Sequence, residues 1–300
     1  DRVVLATGSY AFVPPIAGRE RPGCFVYRTI EDLEAIREAS ARARRGVVIG
    51  GGLLGLEAAK ALQDLGLDTQ VVEFAPRLMA VQVDDCGGRV LGTRIAQLGV
   101  AIHTGKSSVG IADGETHAQR IRFADGTDLQ TDLIVFSAGI RPRDELAREA
   151  GLAVGERGGI VIDDTCRTSE PDIFAIGECA LWAGRTYGLV APGYRMAQVT
   201  AAQLLNEADA TFAGADMSTK LKLLGVDVAS IGDAHGVTAG ARVCSLVDER
   251  RSVYRKLVIS EDGRRLLGGI LVGEAEDYGT LLQMVQNGLP LPANPEQLLL

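Results

Sequence analysis

The sequence predicts an α/β chain that ends in an α+β unit, and three observations carry that reading. The first is the apolar run Val47-Val48-Ile49, followed without a gap by Gly50-Gly51-Gly52-Leu53-Leu54-Gly55 and a helical pattern over 53–65. A strand, a glycine turn and an amphipathic helix in that register form one strand-turn-helix unit. The second is the return of a strand at 69–74, after Gly66, with Glu73 near its end. The third is a change of pattern after Lys220, from strands alternating with helices to short strands in succession.

The elements follow in order. A short strand, Val3-Val4-Leu5, enters the turn Ala6-Thr7-Gly8-Ser9, and a connector with Pro14-Pro15 ends at Gly18. Residues 31–45 predict an amphipathic helix with Leu33, Ile36 and Ala39 on one face. After the glycine unit come a helix over 84–98, stopped by Gly99, and a parallel strand over 100–103. Alternation over 107–130, broken at Asp113-Gly114 and Asp125-Gly126, predicts an antiparallel meander, and residues 133–136 close the domain. A short helix over 144–150, strands at 160–162 and 172–176, and a helix over 194–205 come next. The ending predicts strands at 226–231, 241–247, 254–259 and 266–272, then a helix over 278–285.

The glycine turn is built for a dinucleotide. Its first glycine, Gly50, permits the tight turn, the second, Gly52, lets backbone approach a pyrophosphate, and the third, Gly55, packs helix closely on strand. The helix N-terminus then offers unpaired N–H groups to the phosphates, and Gly51, Leu53 and Leu54 join the three glycines as expected cofactor-binding residues. Glu73 lies at the offset of a ribose-binding carboxylate, which accepts from a 2'-hydroxyl and repels a 2'-phosphate, so NAD is favoured over NADP. Arg77, four residues later, suits a phosphate, a pyrophosphate clamp or plain solvent.

Composition narrows the function class. The chain has 300 residues, enough for more than one core, with 46% hydrophobic residues, 23% charged residues and 37 glycines. A net charge of -8 argues against a nucleic-acid surface, and the locally basic stretch 37–45 reads as a solvated helix face. The sequence shows no apolar run near the ~20 residues that span a bilayer and no signal peptide, so a soluble, cytoplasmic protein is expected. Cys24, Cys86, Cys166, Cys179 and Cys244 are scattered, with no C-x-x-C pair, and read as reduced thiols. His103, His117 and His235 lie far apart without partner carboxylates at ligand spacing, so no metal site is expected. Because Asp1 is no methionine and Val3-Val4-Leu5 reads as a buried strand entering a turn, the chain is expected to be a piece of a longer one.

Four motifs in order, Ala6-Thr7-Gly8, Gly50-Gly51-Gly52, Ser137-Ala138-Gly139 and Phe174-Ala175-Ile176-Gly177-Glu178, resemble the two-dinucleotide flavoprotein reductases of the glutathione-reductase fold. Further stretches are similar to the nitrite reductase branch of that family. They are Ile176-Gly177-Glu178-Cys179-Ala180, Tyr187-Gly188-Leu189-Val190-Ala191-Pro192, Ser218-Thr219-Lys220-Leu221-Lys222, Gly225-Val226-Asp227-Val228, Val272-Gly273 and Asp277-Tyr278-Gly279. Glu178 stands where most relatives of this fold carry aspartate.

The resemblance implies two Rossmann-type dinucleotide-binding domains plus a C-terminal α+β domain, with the N-terminal part of the FAD domain missing. The corresponding boundaries are 1–22 and 146–210 for the two parts of the FAD-binding domain, 23–145 for the NAD(P)-binding domain, and 211–300 for the last domain. It implies FAD contacts at Thr7, Gly8, Gly177 and Glu178, with Pro192 and Gly193 starting a helix that faces the isoalloxazine, and Gly139 closing the last strand of the NAD(H) domain. Glu57 matches a position near the nicotinamide carboxamide, the alternative being a helix-surface carboxylate paired with Lys60. Hydride passes from NADH to FAD by positioning alone, so no catalytic side chain is nominated. Iron-sulfur and sirohaem centres, or a small subunit, would lie outside this chain and receive the electrons. The last domain implies a homodimer if it pairs as in the disulfide reductases. Two other readings stay open: a ferredoxin or rubredoxin reductase, and a nucleotide-binding module without turnover.

Overall fold

The computed structural model describes residues 1–207 and 209–300, and these divide into two compact units. One holds residues 1–12 and 139–217, the other residues 13–138 and 218–300.

The larger unit is built on a five-stranded parallel sheet in the order Cys24–Val26, Leu133–Phe136, Arg45–Ile49, Asp68–Val72, Ala101–His103. Alternation along each strand decides what covers each face. Val47, Ile49, Val72, Ile134 and Phe136 pack with Ile111, Ile121 and Phe123 of the meander Ser108–Asp113, Gln119–Phe123, Asp128–Thr131. Val48, Val71, Leu133 and Val135 point the other way, to the helices Leu53–Asp64 and Asp85–Gln97. Both faces are therefore dry, as a parallel sheet requires.

A five-stranded antiparallel sheet completes this unit, in the order Thr219–Leu223, Val226–Gly232, Leu266–Gly273, Val253–Ile259, Arg242–Asp248. Val226, Val228, Tyr254, Ile270 and Val272 join the same core as the helix Asp85–Gln97. Ala229, Ile231, Leu257 and Leu271 face the helix Tyr278–Gln286. The segments that sequence treats as separate domains thus share one apolar core, because the helix Asp85–Gln97 packs against both sheets.

The smaller unit pairs Val3–Leu5 in parallel with Ile173–Ala175 and carries the helix Val190–Leu204 over a core that includes Phe174, Cys179, Met196 and Phe212. Val3 and Val4 are 51% and 38% exposed, which corrects the expectation of a buried strand. Among the described residues Val3–Leu5 has a neighbouring strand on one side only, and the core of this unit covers Phe174 and Ala175 of that neighbour instead. The helix begins at Val190, two residues before Pro192, which occupies its first turn where proline's missing N–H costs no hydrogen bond. The helix expected over 31–45 is Ile30–Ser40, closed at its start by a capping box between Thr29 and Asp32. Most of the basic stretch therefore lies beyond that helix, and Arg45 pairs with Asp68 at 2.6 Å. The strands Cys24–Val26 and Thr219–Leu223 were not foreseen. No helix among the described residues is long and apolar enough to cross a membrane.

Candidate dinucleotide and flavin sites

The order of the parallel sheet reverses between Arg45–Ile49 and Leu133–Phe136, and this is where open α/β sheets bind ligands. The glycine turn leaves the first of these strands at that point, with Ser137 N–H donating to Ile49 O at 2.8 Å and Gly50 N–H to Val72 O at 2.8 Å.

Each glycine has different surroundings. Gly50 has φ +122°, and a Cβ there would drive into the Ser137 carbonyl. A Cβ on Gly55 would meet the Gly50 carbonyl, so the helix lies directly on the turn. A Cβ on Gly52 would meet nothing within 4 Å. Gly50 and Gly55 thus serve the backbone, and Gly52 leaves space above the helix start. Gly52 is also the N-cap of Leu53–Asp64 and has no side chain to offer, so the first-turn N–H groups, those of Leu53 and Leu54 among them, are left for an outside acceptor.

Glu73 follows the strand Asp68–Val72 and turns its carboxylate back to the glycines. Oε2 accepts the Gly51 N–H at 2.5 Å and Oε1 accepts the Ala75 N–H at 2.6 Å. A Cβ on Gly51 would lie 3.0 Å from Glu73 Cβ and 2.5 Å from Leu78 Cδ2, so this glycine too is held by close approach. Glu57 is exposed on the helix, and Lys60 pairs with Asp64 rather than with it. Burial, together with the Glu57 charge, pushes the Tyr27 phenol above its usual pKa, which puts Glu57 in electrostatic reach of that ring. Arg77 is drawn into the following loop, with Nη1 donating to Asp85 Oδ1 at 2.6 Å and Nε to Val83 O at 3.1 Å.

In the smaller unit, Thr7 and Gly8 follow one parallel strand, and Gly177 and Glu178 follow its neighbour. Gly8 and Gly177 have φ +71° and +76°, and neither has an atom within 4 Å of where a Cβ would stand. Thr7 Oγ1 donates to Arg143 O at 2.5 Å, and Arg143 N–H donates to Gly8 O at 2.9 Å. Glu178 Oε2 accepts from Ser9 Oγ at 2.8 Å, and the Gly177 N–H points to Met196 Sδ at 3.3 Å. The helix with buried Pro192 comes close enough that a Cβ on Gly193 would be 3.3 Å from Gly177 Cα. Gly8, Gly177, Glu178 and Gly193 border a cleft of about 310 Å³, which Ala6, Val190 and Tyr194 also line. Gly139, with φ +105°, accepts from the Phe12 N–H at 2.9 Å. Ser9 and Met196 escaped the sequence reading because nothing in their spacing ties them to Glu178 or Gly177.

His117 Nδ1 lies 3.1 Å from Asp132 Oδ1, a carboxylate partner that spacing did not disclose. All five cysteines are free, and burial pushes the thiols of Cys24 and Cys166 up to about 11.

Residues 1–204 match the family described as pyridine nucleotide-disulphide oxidoreductase. The chain belongs to that family. Residues 218–289 of this oxidoreductase further match the rubredoxin NAD+ reductase C-terminal domain, which is the antiparallel sheet and its helix. Along its whole length it is 61% identical to the nitrite reductase [NAD(P)H] large subunit of Klebsiella oxytoca and 56% identical to the nitrite reductase (NADH) large subunit of Escherichia coli K12. It covers 31% and 35% of those proteins, so it spans about a third of their length. The ferredoxin reductase of the CYP199A2 system from Rhodopseudomonas palustris superposes with a TM-score of 0.82 at 28% identity, over 99% of this chain and 72% of that one. The α/β oxidoreductase fold with a C-terminal sheet domain is thereby established for this chain.

Proposed function

We propose that the chain is the NADH-oxidising flavoprotein module of a nitrite reductase, taking hydride from NADH onto FAD and passing electrons to iron-sulfur and sirohaem centres held elsewhere. The observation that carries this is the Glu73 carboxylate, bonded to the Gly51 N–H at 2.5 Å at the reversal point of a parallel sheet. A carboxylate fixed there accepts from the ribose hydroxyls of NADH and repels a 2'-phosphate. Gly52 and the helix start at Leu53 and Leu54 take the pyrophosphate, above a turn that Gly50 and Gly55 keep tight, and Glu57 takes the carboxamide end.

The residues present suit FAD at the isoalloxazine and ribityl end. Gly8 and Gly177 leave open space at the ends of adjacent parallel strands, and the cleft beside them is bordered by Glu178 and by the first turn of a helix. Thr7, Gly8, Gly177, Glu178 and the Pro192 turn would hold it there. FAD, when bound, supplies a two-electron acceptor that can pass electrons on singly. Hydride transfer needs no proton donor or base from the chain, so its residues act by orienting the nucleotide and keeping water out.

Mixing the full-length protein with NADH under anaerobic conditions tests this through the flavin absorbance. Rapid bleaching with NADH, and a preference over NADPH that narrows in Glu73→Ala, is the expected result. A flavin band that NADH leaves untouched, or no flavin band, would favour a nucleotide-binding module without turnover. The match of residues 218–289 to the rubredoxin reductase domain favours one runner-up, a ferredoxin or rubredoxin reductase, and reduction of a separate iron-sulfur protein with no nitrite turnover would select it.

A further inference from the structure

The loop that leads from Glu73 to the helix Asp85–Gln97 is pinned to the glycine turn. Leu78 packs against Gly51, and the Met79 N–H donates to Gly51 O at 2.9 Å. Met79 sits at φ +51°, a backbone state that a residue with a side chain keeps only when its neighbours fix it. Arg77 is next to these two residues, so its backbone adjoins the end of the site where Glu73 would read the ribose.

Its side chain nonetheless runs the other way. The stem lies on Gly88, where an added Cβ would stand 2.9 Å from Arg77 Cβ and 3.0 Å from Cδ. The guanidinium then donates to Asp85 Oδ1 at 2.6 Å, to Val83 O at 3.1 Å and to Ala80 O at 3.5 Å. A second cation near Glu73 is similarly engaged. The Lys106 N–H donates to Glu73 O at 3.0 Å, while its ammonium goes to Asp125 Oδ2 at 2.6 Å and Thr127 Oγ1 at 3.0 Å. Both cations flanking Glu73 have carboxylate partners of their own, and the Glu73 charge is left to act on the nucleotide.

We propose that Asp85 is a specificity-determining residue for the reducing nucleotide, because it holds the Arg77 guanidinium away from the ribose end and so withholds it from a 2'-phosphate. This deepens the reading of Glu73 given above and rests on it. The arginine fork matches phosphate geometry well, so a freed Arg77 would be a phosphate reader. Asp85 is 90% exposed, and an ion pair to so exposed a carboxylate is weak. Without Asp85 only the neutral carbonyls of Val83 and Ala80 compete with a phosphate dianion for the guanidinium.

Titration calorimetry of the chain with NADP+ and NAD+ tests this without recourse to turnover. In a Glu73→Ala background, adding Asp85→Ala should tighten NADP+ binding by about threefold to fivefold, the most that releasing an exposed ion pair can return. Adding Arg77→Met to that pair should abolish the gain, and NAD+ affinity should not follow the same pattern. Equal NADP+ affinity with and without Asp85, or a gain that survives Arg77→Met, overturns the proposal. If NAD+ binds and only the Asp85 effect is missing, the fault lies with Asp85 alone. If NAD+ fails to bind the unaltered chain, the reading of Glu73 falls and this proposal falls with it.

Discussion

The Tyr254 hydroxyl donates to Asp84 Oδ2 at 2.8 Å, so a residue of the antiparallel sheet completes the cap of a helix that belongs to the parallel sheet. Asp84 also accepts the Gly87 N–H at 3.0 Å and faces Lys256 Nζ at 3.0 Å. Tyr254 and Lys256 are both buried. Burial pushes the Asp84 carboxyl up, yet its bonds from Gly87, Tyr254 and Lys256 outweigh that and hold it below its usual range.

Removing the hydroxyl isolates one strand of that junction. Tyr254→Phe keeps the ring and should lower the unfolding free energy by about 1–3 kcal/mol, the range for a bond to a charged group. Urea denaturation followed by circular dichroism measures it, and a change near zero would mean that Lys256 and Gly87 satisfy Asp84 by themselves.

The glycines of the turn should separate into two classes. In Gly50→Ala and Gly55→Ala the new methyl meets the Ser137 and Gly50 carbonyls, and at Gly50 the backbone angle is also unfavourable. Each should cost roughly 2 kcal/mol or more, visible as a lower melting temperature. Gly52→Ala adds a methyl to open space and should melt within about 1 kcal/mol of the parent while binding NADH several-fold more weakly. Normal nucleotide affinity in Gly52→Ala would remove the pyrophosphate from that spot.

Asp132 predicts an acid-sensitive contribution. It is buried enough to raise its pKa, but bonds from the Arg44, Arg45 and Ala118 N–H groups and from His117 bring it down to about 2, from an ordinary 3.8. A depressed carboxylate stabilises the fold above its unfolded pKa, and that contribution fades as pH falls through the folded value. The stability gap between the parent and Asp132→Asn should therefore be about 2 kcal/mol at neutral pH and shrink between pH 4 and pH 2. A gap that stayed constant over that window would show that the charge is not what matters.

In the smaller unit, Gly193 and Gly177 approach closely where both border the cleft. A methyl at Gly193 would stand 3.3 Å from Gly177 Cα, so the turn must yield by a few tenths of an ångström. Gly193→Ala should change stability by less than about 1 kcal/mol while reducing the flavin retained per chain. Full flavin content on absorbance would place the isoalloxazine away from this turn.

Local patterns were legible wherever neighbours in sequence decide the outcome. The unit Arg45–Ile49, glycine turn and Leu53–Asp64 announced itself, because strand alternation, positive φ and helix periodicity are short-range properties. The meander was visible from Asp113-Gly114 and Asp125-Gly126 for the same reason. Cys24–Val26 escaped because three half-buried residues carry no period, and only Leu133–Phe136 beside them makes them a strand. The three uses proposed for Arg77 could not be narrowed by counting residues, since Asp85 and the Val83 carbonyl reach it only once the loop is folded.

By itself, then, the sequence carried the family through the resemblance of four motifs in order, and the strand-turn-helix unit with the carboxylate at its far end through residue types at fixed short spacing. Only the tertiary structure decided that Glu73 closes back on Gly51, that Arg77 turns away to Asp85, and that Tyr254 and Asp84 join two sheets around one core. Those are bonds between groups brought together by packing, and their energies depend on distance and burial, which the order of residues along the chain does not record.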